Sequence, residues 1–252
     1  LATLALGVLF MSDLFMLLLL GWTDATVIEE LGIHRLHVMS IGVFSAISLL
    51  LVATQLYRPR QHPGALVAGV AIYLVATIVL AAIGSESVML GVFFGIPATL
   101  ALLLHPSGRK VFDRESLSPA MLGLFALAVI PLALFVAAQL NLQLTQPIAD
   151  EHAAHEHYVM MALLGLTVLI SGAVAASGIA GWRITAWITA VGVTYFGLLS
   201  VFMIGQVGTL GTFWGTLAIV WAVAFVLVAE YSRRENVGRI FGRSQYTKST
   251  AK

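Results

Sequence analysis

The chain alternates between long apolar runs and short polar connectors. Eight runs stand out, at about residues 2–21, 37–56, 64–83, 87–104, 119–139, 157–177, 183–205 and 212–231. Each approaches the roughly 20 helical residues that cross a hydrocarbon core about 30 Å thick. The pattern predicts an all-α integral membrane protein with eight transmembrane helices. The first run reads as a span and not as a signal peptide, because it has no basic leader, carries Asp13 in its middle and makes the span count even.

Composition agrees with the pattern. Of 252 residues, 60% are hydrophobic and 10% charged, which excludes a soluble domain, where about a quarter would be charged. The net charge of +1 gives no nucleic-acid footprint. No phosphate-cradling glycine loop is present, so no nucleotide partner is expected either. There are no cysteines, hence no disulfides and no thiolate metal sites.

The few charges sort by side. Arg58, Arg60, Arg109, Lys110, Arg114, Arg183, Arg233, Arg234, Arg239, Arg243, Lys248 and Lys252 fall on one side of the eight spans. Only Arg35 falls on the other, with Asp24, Glu29, Glu30, Glu86, Asp150, Glu151 and Glu156. The positive-inside bias then puts both termini in the cytoplasm of a plasma-membrane protein. The basic segment 232–252 is expected to lie against anionic headgroups or to stay disordered.

An internal duplication is visible. Gly91-Val-Phe-Phe-Gly95 opens the fourth span and Gly211-Thr-Phe-Trp-Gly215 the eighth, while His34 and His37 precede the second span as His152 and His155 precede the sixth. These matches predict two parallel four-helix repeats, residues 1–116 and 117–231, with any shared site at their interface. The glycines themselves read as helix-packing positions.

The candidate chemistry lies in the two matching outer loops. His34, His37, His152, His155 and His157, with Glu30, Glu151 and Glu156, offer nitrogen and oxygen ligands for a transition metal. In helical segments His34 and His37 share a face, as do His152 and His155; Glu151 with His155 and His152 with Glu156 are i,i+4 pairs, and His157 points elsewhere. Met39 and Met160 are possible soft ligands and favour copper over zinc, although methionine also fills apolar gaps. His62 and His105 each precede a proline in short inner loops and read as structural. Asp13 is an acid inside a span, where ionisation costs about 2.5–3.5 kcal/mol, and marks a proton or ion path. Arg183 and Glu230, at inner helix ends, read as snorkelling anchors.

His152-Ala-Ala-His155-Glu-His157 resembles the histidine boxes of membrane fatty-acid desaturases and hydroxylases, which lie on the cytoplasmic side and include adjacent histidines. This chain has no His-His pair and its cluster sorts to the outer side. Two joined four-helix units with Glu30-x-x-x-His34-Arg35 are also similar to haem A synthase, whose haem pairs need histidines in the fourth and eighth spans. Here the eighth has none, and His105 lies at the inner end of the fourth. Each resemblance covers only a few residues, so no family is assigned and haem ranks below copper or zinc.

The leading expectation is an outward-facing site that binds copper, or zinc, for metal handling or redox chemistry. The alternatives are a non-catalytic subunit or assembly factor of a larger membrane complex, and a proton-coupled carrier built on Asp13. No nucleophile–base pair is recognisable, so the sequence by itself does not make the chain an enzyme.

Overall fold

The computed structural model describes residues 17–19, 22, 29–115, 117–147 and 149–249, without the side chains of 29–33 and 235–249. Seven long helices account for most of it: α1 (Glu29–Ala53), α2 (Pro63–Ala82), α3 (Val88–Leu103), α4 (Pro119–Thr145), α5 (His157–Ala176), α6 (Trp182–Phe202) and α7 (Gly211–Ser249). They match the second to eighth apolar runs in order; the first run lies outside the described residues apart from Leu17, Leu18 and Leu19. Six helices hold segments long and apolar enough to cross a membrane, and α3, with 16 residues, is shorter. No strand forms among the described residues, only an isolated bridge between Arg114 and Ile179.

Local signals account for several boundaries. Proline opens α2 and α4, where a missing N–H leaves no hydrogen bond unmade. The Ser118 hydroxyl accepts from Met121 N and caps α4. Three helices outrun the hydropathy that announced them. α1 begins at Glu29 and carries both its histidines in helix. α4 continues to Thr145 through Gln139 and Gln143, because their side chains turn into the protein and not toward lipid. α7 continues through the basic segment to Ser249; that segment contains Arg, Glu, Gln and Lys and no proline to stop it.

The helices alternate in direction, as the connectors show. At one end, Ser87 Oγ donates to Glu156 Oε2 (2.7 Å) and Leu36 N donates to Gln206 Oε1 (3.0 Å), joining the loops after α2, before α5 and after α6 to the start of α1. At the opposite end, Gly64 N donates to Ala180 O (2.8 Å) and Glu115 N to Gly178 O (2.8 Å). His62 and His105 sit at this second end in structural roles. His105 Nε2 is 3.2 Å from Gln55 Oε1, its Nδ1 accepts from Ser107 N, and His62 Nδ1 is 3.1 Å from Tyr57 O. Glu230 accepts from Arg183 Nε (2.5 Å) and Trp187 Nε1 (2.7 Å), so the two expected anchors are paired with each other.

The centre is α1, α2, α5 and α6, which pack on one another through residues such as Leu36, Met39, Ile47, Ile72, Met161, Leu164 and Leu199. α3 lies against α2, α4 against α5 and α7 against α6. Helix approach explains two of the four repeated glycines, since a Cβ on Gly91 would stand 2.6 Å from Thr77 Oγ1 and one on Gly215 2.9 Å from Gly197 O, whereas Gly95 makes only ordinary contact and Gly211 faces open space with a left-handed backbone (φ 72). The outer faces stay apolar and exposed, with Leu127, Ile130 and Leu134 on α4 and Val220, Val223 and Leu227 on α7. A surface of that kind belongs in a bilayer, since in water it would be an aggregation liability.

Candidate metal centre

His34, His37, His152, His155 and His157 come together at one end of the bundle. His34 and His37, one turn apart on α1, face the bundle interior side by side, as the helical spacing requires. The others arrive on the segment between α4 and α5. Asp150 Oδ1 accepts from Ala153 N and caps a one-turn helix, Glu151–Ala154, and Glu156 then takes a left-handed backbone (φ 58, ψ 22) before α5 starts at His157.

That left-handed residue changes the geometry expected from sequence. In a continuous helix His157 would project away from His152 and His155. With the helix broken, His157 turns inward: its ring centroid is 4.6 Å from that of His34 and 5.1 Å from that of His37. His152 lies 4.9 Å from His34 and 4.8 Å from His37, while the more exposed His155 stands 5.7 Å from His157 and 5.8 Å from His34. One ring nitrogen from each of His34, His37 and His157 falls within 4.8 Å of the others. An ion bonded to imidazole at about 2.0–2.1 Å would draw such atoms roughly 3.4 Å apart, a small side-chain movement.

The ring nitrogens are poised as donors. His34 Nδ1, both nitrogens of His37, His152 Nε2 and His157 Nδ1 are buried without a hydrogen-bond partner among the described residues. A buried polar group left unpaired costs about 1–3 kcal/mol, and these nitrogens could hold a metal ion. The remaining nitrogens of two rings meet carboxylates: His34 Nε2 is 3.5 Å from Glu151 Oε2 and His152 Nδ1 is 3.8 Å from Asp150 Oδ1. A carboxylate behind an imidazole fixes its ring orientation and raises its basicity as a ligand.

The expected i,i+4 pairs of acid and histidine do not form as drawn from the sequence. Glu151 reaches across to His34, and only its carbonyl meets His155, at Nδ1 (2.7 Å). Glu156 accepts from Ser87 Oγ instead of meeting His152. The break after His155 and the turn at Glu156 carry these side chains off the common helical face. Met39 is buried in the core beside Leu36, and Met160 lines an apolar cavity of about 250 Å³ with Phe44, Leu90 and Leu163. The side chain of Glu30 and all of Asp13 lie outside the described residues.

Four contributors were not singled out from sequence. Gln143, on α4, donates through Nε2 to Ala153 O (2.9 Å) and accepts at Oε1 from Val159 N (3.2 Å), clamping the two sides of the break that brings His157 inward. Its signal was the Gln139–Gln143 pair, polar at i,i+4 in an apolar helix. Asp150 serves as both helix cap and partner of His152, a double use that its place before Glu151-His152 hinted at. Gly208, in the loop after α6, lies over His37 and had no signal of its own; Met161, one turn beyond His157, shared only the general signal of methionines gathered in the histidine-side half of the spans.

No protein-family model, curated protein or solved structure matches this chain.

Proposed function

We propose that this chain is a multi-pass plasma-membrane protein that binds a transition metal at its outer face, copper in preference to zinc, for metal handling or redox chemistry. The convergence of buried, unpartnered ring nitrogens from two distant segments carries the reading. His34, His37 and His157 form the ligand set, and His152 adds a fourth nitrogen through Nε2. Glu151 and Asp150 orient His34 and His152 from behind. His155 and Glu156 border the site, and Asp13 handles protons or ions along the first span.

The site lies between two four-helix repeats, residues 1–116 and 117–231. The packing supports this division: exchanging α1 with α5, α2 with α6 and α3 with α7 carries each pair of packed helices among these six onto another such pair or onto itself. The histidines then lie near the axis relating the halves, where parallel repeats place shared sites. With eight spans, the charge sorting places the histidine end outside and both termini inside. Buried Met161, one turn beyond His157, favours the softer metal.

Elemental analysis of the purified full-length chain tests the reading. Wild type should carry about one equivalent of metal, and the variant with His34, His37 and His157 all replaced by alanine should carry almost none while retaining its helical circular dichroism. Full metal content in that variant would overturn the assignment.

A further inference from the structure

Met161 adjoins the histidines but is not among the ligands above. It stands four residues after His157 on α5, so both side chains leave the helix on the same face. It is also fully buried, at 0% exposure. A single point fixes its relation to α1: the position of a Cβ built on Gly208 lies 3.1 Å from His37 Nε2 and 3.4 Å from Met161 Cε. The imidazole nitrogen and the terminal methyl of Met161 therefore border the same small space, with the thioether sulfur one bond behind the methyl. Gly208 has a left-handed backbone (φ 85) and no side chain to fill that space. His37 Nε2, facing it, has no hydrogen-bond partner among the described residues.

We propose that the thioether of Met161 is a further ligand of this centre and makes it selective for Cu(I); the inference rests on the metal-binding reading above. A thioether is soft and uncharged. It adds a donor without adding charge in a buried place, and beside imidazoles it suits Cu(I), whereas zinc is bound by thiolate, imidazole and carboxylate. The sequence pointed to Met39 and Met160, which lie near the histidines in the chain. The tertiary contacts instead select Met161: it shares the central core with Met39, but its methyl borders the space that His37 Nε2 faces, while Met160 lines the apolar cavity.

The absence of cysteine makes the test clean, because any sulfur bound to copper must come from methionine. The experiment uses the full chain in detergent, as wild type and as Met161→Leu, a change that nearly conserves volume. Each is loaded anaerobically with Cu(I) for X-ray absorption, then titrated separately with Cu(I) and with Zn(II) against competing chelators. Wild type should show one sulfur neighbour in addition to nitrogens. Met161→Leu should lose the sulfur and bind Cu(I) at least about tenfold more weakly, the scale on which metal sites respond to losing one supporting group. Its Zn(II) affinity should stay unchanged, which also shows that the variant folds.

A wild-type copper site without sulfur, or a sulfur neighbour that survives Met161→Leu, would overturn the proposal and leave the histidine site standing. Failure of the wild type to bind either ion would remove the metal-binding reading, and this inference with it.

Discussion

Glu156 sets the geometry of the histidine cluster through its backbone. A left-handed conformation costs a non-glycine residue about 1–2 kcal/mol, and strain of this kind persists where surrounding structure enforces it. Here the enforcement comes from Ser87, whose hydroxyl holds the Glu156 carboxylate, and from Gln143, which clamps both flanks. Glycine and asparagine adopt this conformation readily, while a β-branched residue resists it. Glu156→Gly should therefore stay within about 1 kcal/mol of wild type, since relief of strain offsets the lost hydrogen bond. Glu156→Val should lose about 1–3 kcal/mol and much of its metal affinity. Thermal unfolding in detergent and metal content would show the difference, and identical behaviour of the two variants would remove the backbone's role.

At the level of elements, the site depends on an interrupted helix held by an uninterrupted one. α4 carries Gln143 beyond the end of its apolar run, so that one side chain pairs a carbonyl before the break and an N–H after it. Gln143→Leu would leave Val159 N unpaired, at about 1–3 kcal/mol, and would strip Ala153 O of one of its two donors, the other being Glu156 N. The helical bundle should survive this loss, because α4 and α5 also pack through Phe125 on Gly172 and Val136 on Gly165. The expected result is near-normal circular dichroism with metal affinity reduced about tenfold or more, read by chelator competition; unaltered affinity would show that Gln143 does not position the histidines. Hydropathy made α4 visible but not its last turn. A polar residue in a helical run normally marks the way out of the bilayer, whereas this one is turned toward protein.

For the whole molecule, the alternation of seven helices places loop 83–87 and loop 104–118 at opposite ends. Because the chain contains no cysteine, single cysteines report sidedness without background. Glu86→Cys should react with a membrane-impermeant maleimide on intact cells, and Arg109→Cys only after the membrane is opened. Labelling of both from outside would contradict the alternation and with it the placing of the histidines. The same opposition separates the two kinds of histidine: His62 and His105, tied to carbonyls and amides, lie at the end opposite the clustered five, four of which have open ring nitrogens.

Hydropathy, charge and spacing by themselves determined that this is a helical membrane protein, where the seven described long helices lie, and that its clustered histidines fall in two segments of the chain. These are local properties: the length of an apolar run is set by the bilayer, and the i,i+3 spacing of His34 and His37 is set by the helix. The approach of His157 to His34 and His37, the transfer of Glu151 from His155 to His34, and the placing of the Met161 methyl against the space that His37 Nε2 faces were decided only by the tertiary structure. Each depends on the direction of a side chain after a single left-handed residue or a packed helix register. Such directions come from contacts between segments more than a hundred residues apart, such as His34 with His157, which no local pattern encodes.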